Sequence, residues 1–387
     1  MRALADEARA QGRVALDTEF MWERTYAPEL CLLQVATTSR VVLLDPLEGA
    51  PIGPIAELVS DPAVQLIMHA PSADLLLFAL RADARPTNVF DTQLVAGFVG
   101  LGISTAYDRL VEAVLRVRLE HSATFTDWKR RPLSDIQVAY AADDVRHLGA
   151  LADELTARLD RLGRTSWAAD ELARRYGDPG ALTPDPERAF QRVGRRGRLS
   201  GRQLSVLREL AAWREREARR RDTPTGWLLK DPSLVELARA QPTDAAALRR
   251  VRGVGSMGSQ ETQGLLEAVA RGMEADPLPS PREPSGEVAR RSAVAAALAS
   301  VLVRARCEDA RIAPELVATR GDLEDFARGA LTGGIEGLSL GSGWRRDLVG
   351  AELEELLAGR IAIALASGPP YARLLDASTA PGDAEAP

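Results

Sequence analysis

Four short stretches hold carboxylates that packing alone would not call for. In Leu16-Asp17-Thr18-Glu19-Phe20 the two acids are two residues apart, and on a strand such side chains leave by the same face. Adjacent carboxylates repel, so holding both on an otherwise apolar strand calls for a divalent cation, Mg²⁺ or Mn²⁺, to offset the repulsion. The plainer reading is an Asp-x-Glu at a solvated strand end. His69-Ala70-Pro71-Ser72-Ala73-Asp74 runs from strand into helix and sets Asp74 in the first helical turn, where capping by Asp74 or Ser72 would explain it. His69 at the strand end reads first as structural. Phe90-Asp91-Thr92-Gln93 repeats the strand-to-helix pattern, with Asp91 as the N-cap. In Tyr140-Ala141-Ala142-Asp143-Asp144, Tyr140 and Asp144 are four apart and share a helical face, so a phenol and a carboxylate can meet at one point. Asp143, three from Tyr140, is a rival that spacing does not exclude, and a solvated acidic helix with an ordinary core tyrosine is the plainer alternative.

The elements that must position these groups follow from periodicity. Residues 13–20, 30–36, 41–45, 64–69 and 87–90 are short, aliphatic or β-branched, and bounded by turn residues, which predicts strands. Helical patterns fall at about 52–60, 73–82, 92–99, 105–115 and 134–162, so residues 1–165 read as an α/β domain. Three early strands with short connections imply a meander and later strands return through helices, which makes the sheet mixed. Residues 166–198 are rich in Pro and Gly and end in the cluster Arg195, Arg196 and Arg198, with Arg202 just beyond, which reads as a linker and the entry to a new domain. From 199 to 275 the pattern is helical only. Helices resume over 286–368, at about 286–305, 313–319, 321–329 and 348–366, and 369–387 has the composition of a frayed, disordered tail.

The chain has 387 residues, and at roughly 100 to 200 residues per domain it should hold two or three domains. Its 45% apolar and 27% charged residues are ordinary for a soluble globular chain, and no apolar run approaches the ~20 residues that span a bilayer. Cys31 and Cys307 are the only cysteines, which excludes a disulfide scaffold and a cysteine zinc module and fits a reducing cytosol. The first twenty residues are charged where a signal peptide would be apolar, so a cytoplasmic location is expected. The net charge of −6 averages opposing segments: residues 1–165 hold 17 Arg or Lys against 23 Asp or Glu, and residues 188–256 hold 17 against 7. An acidic block suited to metal thus precedes a basic block suited to phosphate.

The ordered set DTEF, HAPSADL, FDTQL, TDW and YAADDV resembles the ribonuclease D family, exonucleases with four acidic residues and a tyrosine in the last motif. WRERE at 213–217 with WLLKD at 227–231 is similar to the HRDC module (helicase and RNase D C-terminal), and ELVATRGDL with SGWRRDLVG to a second such module. The resemblance covers almost the whole chain. It implies a ribonuclease-H-like mixed-sheet exonuclease domain followed by two small all-helical HRDC-type domains. It further implies that Asp17, Glu19, Asp74 and Asp144 hold two Mg²⁺ or Mn²⁺ ions and that Tyr140 orients the attacking water as the last phosphodiester is cut. The product would be a nucleoside 5′-monophosphate, the partners RNA 3′ ends and tRNA precursors, and the working form a monomer.

The chain departs from the family pattern in two places. It starts inside what reads as the first helix, where members carry a preceding strand, so either the start lies upstream or the sheet lacks an edge. Phe125 and Thr126 stand where an Arg and a Ser or Thr are usual before Asp-Trp. Two other functions compete: a 3′-5′ DNA exonuclease, since nothing here reads a 2′-hydroxyl, and a non-catalytic RNA-binding protein that works through its basic helices. Arg195, Arg196, Arg198 and Arg202 are the candidate phosphate contacts.

Overall fold

A computed structural model describes residues 1–119, 126–194, 196–255, 257–279, 286–368 and 371–377. Five strands, β1 Arg13–Met21, β2 Glu29–Ala36, β3 Val41–Leu44, β4 Gln65–Met68 and β5 Val89–Asp91, form one sheet in the order β3-β2-β1-β4-β5. β1, β2 and β3 are an antiparallel meander, and the chain then crosses through the helix Gly53–Val59 to lay β4 parallel to β1. The expected mixed sheet is therefore present, with the Asp17/Glu19 strand at its centre. β2 reads as an almost unbroken apolar run and is buried from Leu30 onward, as a strand covered on both faces must be.

Two compact units divide the chain, each assembled from separated stretches. The first takes in residues 1–90, 120–149 and 173–282 and holds most of the sheet and the helical region that begins with Gly201–Arg221. That helical region closes on its own core of Leu207, Leu210, Leu234, Leu248 and Leu265. The second unit takes in 91–119, 150–172 and 283–387. In it Trp344 packs on Phe98 at 5.4 Å and on Trp167 at 5.3 Å, and Arg345 meets the buried Glu171 at 2.6 Å. Gly97 allows the close approach of Leu316 in the same unit: a Cβ there would lie 2.8 Å from Leu316 Cδ1.

Three expectations change. Residues 166–198 are not a bare linker: they contain the helix Thr165–Tyr176 and the 3-10 turn Pro186–Arg192, and Ala189 and Val193 are buried in the helical core. Asp185 accepts from the Glu187 amide and Pro186 follows it, so the proline marks a turn start rather than a break. The helix expected over 134–162 is two, Asp135–Arg146 and Leu148–Leu162, parted at His147, two residues before Gly149. Finally, the last helix ends at Leu357, and β6 Ile361–Leu365 pairs with β7 Ala372–Asp376 as an antiparallel hairpin. Part of the expected tail is thus ordered by strand pairing, which an Ala-, Gly- and Pro-rich composition does not signal. Residues 369–370 and 378–387 of that tail lie outside the described residues.

Candidate active site

β1 sends Asp17 and Glu19 to one face, with Gln34 of β2 opposite Asp17 and Leu32 opposite Glu19. A bulge follows at Glu19/Phe20, where Phe20 pairs with Leu30 and Cys31 is the extra residue. The helix Asp135–Arg146 lies against β1, β2 and β3 and brings the other two groups. It starts where it does because Ser134 and Gln137 form a reciprocal capping box. The preceding segment is tied down by Arg131, which pairs with Asp45 at 2.5 Å and donates to the carbonyls of Trp128 at 2.7 Å and Cys31 at 2.8 Å. Trp128, 5% exposed, packs beside the Tyr140 ring at 6.2 Å. The Asp-Trp motif therefore works as a support that sets the ring. Phe125 lies outside the described residues.

Asp17, Glu19 and Asp144 offer ligand oxygens that all lie within 4.8 Å of one another. Asp144 is the member of its pair that joins them; Asp143 instead faces Arg146 at 3.5 Å. Tyr140 donates its hydroxyl to Asp144, as the four-residue spacing requires. Asp74 is buried and turned toward Thr18, whose hydroxyl donates to it. It is not a cap: the helix Ser72–Arg81 begins after Pro71 with no side-chain cap. Its charge nevertheless acts on Asp17 and Glu19. Asp91 is the cap it was read to be, accepting from the Gln93 amide at 3.0 Å and the Leu94 amide at 3.4 Å.

The electrostatics record what it takes to keep four acids together. Burial, then the charges of Asp74, Asp144 and Glu19, raise the Asp17 carboxyl well above its ordinary value. Burial followed by Asp144 and Asp74 pushes Glu19 up to about 8. Asp144 rises to about 7, mainly by burial against the opposing hydrogen bond from Tyr140. Asp74 rises to about 6 by burial, held back by the Thr18 hydroxyl. Tyr140 is also raised, by burial and by the neighbouring carboxylates, so its phenol keeps its proton at neutral pH. An all-oxygen donor set whose negative charges are this poorly tolerated fits a hard divalent cation, which would remove the repulsion.

A family model described as 3′-5′ exonuclease matches residues 1–160, and one for the HRDC domain matches residues 203–264. The chain is 41% identical over 369 residues to ribonuclease D of Gluconacetobacter diazotrophicus, covering 93% of this chain and 91% of that one. It is 38% identical over 370 residues to ribonuclease D of Acidiphilium cryptum, covering 94% and 92%. This chain belongs to the ribonuclease D family. Among solved structures similar to this family member is Escherichia coli RNase D, titled an exoribonuclease involved in structured RNA processing, with a TM-score of 0.76 and 30% identity over 92% of this chain and 96% of that one.

The expected basic residues fare differently from the acids. Arg202 donates to the carbonyls of Gly272 and Ala275, and so caps the helix Ser259–Glu274. Arg196 reaches the Phe190 carbonyl at 3.4 Å. Arg198 is exposed, and Arg195 lies outside the described residues. Much of the remaining positive charge is paired: Arg216 with Glu187, Arg220 and Arg221 with Glu217, Arg239 with Glu236. Sequence reading missed Gln34, a fully buried amide across from Asp17 whose nitrogen and oxygen find no hydrogen-bond partner among the described residues. A lone amide inside LCLLQVA was the available signal.

Proposed function

We propose that this ribonuclease D family member trims RNA precursors, tRNA among them, from the 3′ end, releasing nucleoside 5′-monophosphates. The chain is a metal-dependent 3′-5′ exoribonuclease; substrate, ion number and residue roles are the proposal. The observation that carries it is the convergence of Asp17, Glu19 and Asp144 within 4.8 Å, with Tyr140 donating to Asp144. Asp17, Glu19, Asp74 and Asp144 would hold two ions, Mg²⁺ or Mn²⁺. Bound there, such ions lower the pKa of water and stabilise charge on the departing 3′-oxygen. The residues supply the rest. Tyr140, protonated at neutral pH, is a donor that orients water and cannot be the base that removes its proton. Thr18 holds Asp74 in place, and Trp128 holds the Tyr140 ring.

The module matched at 203–264 supports a division of labour in which the helical region grips the RNA body while the sheet works on the end. Residues 1–165 then form the nuclease domain, 199–275 the HRDC domain and 286–368 a second HRDC-like domain. The protein acts as a monomer, and its two cysteines, both buried and free, suit the cytoplasm. No helix among the described residues is long and apolar enough to cross a membrane.

Matched RNA and DNA oligonucleotides labelled at either end, with Mg²⁺ or with EDTA, test the reading. The 3′ label should leave at once as a mononucleotide, the 5′ label should shorten stepwise, EDTA should stop both, and RNA should be cut faster. Cutting of a circular RNA at the linear rate overturns it, and slow release from a tRNA precursor removes tRNA.

A further inference from the structure

We infer that the loop region around Trp227 is a stacking site for a single-stranded segment of the RNA. This rests on the RNA reading above and locates its grip away from the arginines at 195–202. Trp227 is 65% exposed, a large apolar surface left in water on a short helix, Thr225–Leu228. It lines a cavity of about 520 Å³ together with Gly226, Lys230, Glu236, Arg252 and Gly253. A Cβ at Gly226 would meet nothing within 4 Å, so the wall beside the indole is open.

The cations here differ from most of those on the long helix of the module. Lys230 and Arg252 are exposed, as are Arg249 and Arg250 just before, and none of the four makes an ion pair among the described residues. On the helix Gly201–Arg221, by contrast, Arg208, Arg214, Arg216, Arg220 and Arg221 are each matched by an acid. The one acid in the cavity wall, Glu236, is bound to Arg239 at 2.7 Å and leaves the cavity positive. An exposed indole flanked by unpaired cations suits an alternation of base and phosphate. The ring stacks on any base, and the cations neutralise the backbone on either side. A folded protein partner would need more apolar surface than one indole offers.

The test uses the full chain in EDTA, so that nothing is cleaved, and a fluorescein-labelled single-stranded RNA of about 12 nucleotides, comparable to the site sizes of single-strand binders. Trp227→Ala should weaken binding roughly 5- to 150-fold, the range of one lost base stack, while Trp227→Phe, which keeps an aromatic face, should stay near wild type. Lys230→Ala with Arg252→Ala should make the slope of log affinity against log salt shallower by about 1.4, at roughly 0.7 for each phosphate contact on a single strand. With Mg²⁺ restored, all three variants should hydrolyse a dinucleotide at the wild-type rate. Wild-type affinity in Trp227→Ala, an equal loss in Trp227→Phe, or an unchanged salt slope overturns the site. Absence of hydrolysis from every protein, with binding as expected, would sink the exonuclease reading and leave the site standing.

Discussion

In the carboxylate cluster of β1 and the helix Asp135–Arg146, like charges sit together with no ion pair among the described residues, and burial and repulsion push Glu19 and Asp144 to about 8 and 7. On the helix Gly201–Arg221, a density of arginine just as suggestive is mostly matched by neighbouring acids, and Arg220 with Arg221 holds Glu217 down to about 2. The two regions teach that charge density alone does not mark a functional surface. Charge left without compensation does, because the fold could have relieved it with a partner and has not.

The sharpest way to break the comparison is to remove a member of the cluster. Asp17→Ala and Asp144→Asn should reduce mononucleotide release to background. In EDTA at pH 8, Asp144→Asn should also melt higher than the wild type, since one repelling charge is gone. Asp143→Asn, which weakens the contact with Arg146 and leaves the cluster of Asp17, Glu19 and Asp144 intact, should hydrolyse almost normally. A dead Asp143→Asn beside an active Asp144→Asn would reverse the assignment.

Tyr140→Phe comes next. It removes the hydroxyl and keeps the ring on Trp128, so the rate should fall on the order of 10² to 10⁴-fold, the range of a positioned proton donor or acceptor, with the melting temperature little changed. An unchanged rate would make Tyr140 a packing residue.

Acidity distinguishes the regions more gently. Glu19 and Asp144 bind protons more tightly in the folded metal-free protein than unfolded, where they titrate near 4, so the native state holds the extra protons between about pH 4 and pH 8. Stability must therefore fall as pH rises through that window. Melting in EDTA should show the decline, and Mg²⁺ should raise the melting temperature more at pH 8 than at pH 5, because the ion competes with protons for the same oxygens. A larger effect of Mg²⁺ at pH 5 would place the ion elsewhere. The smallest effect belongs to the compensated region. Arg216 and Glu187 meet at 3.1 Å with about half of each side chain exposed, so Arg216→Ala should cost at most about 1 kcal/mol and leave the salt dependence of RNA binding unchanged.

What could be read without coordinates was whatever depends on spacing within one element. Alternation on a strand sets Asp17 and Glu19 on one face, the helical repeat stacks Tyr140 over Asp144, and Asp91 before Thr-Gln-Leu is a cap wherever the helix lies. The strands β1 to β5 fall within a residue or two of their hydrophobic runs for the same reason. Tertiary structure decided the choices between elements. Asp144 and Asp143 are one residue apart, and only the docking of their helix against the sheet turns the first to Asp17 and Glu19 and the second to Arg146. Asp74 proved to be held by Thr18, 56 positions away, and Arg202 by carbonyls about seventy positions away. The hairpin of β6 and β7 likewise rests on strand pairing that the composition of those residues does not signal. Side-chain spacing is a property of the local backbone. Partners across the fold, and the absence of an ion pair at Lys230 and Arg252 among the described residues, exist only once distant segments have packed.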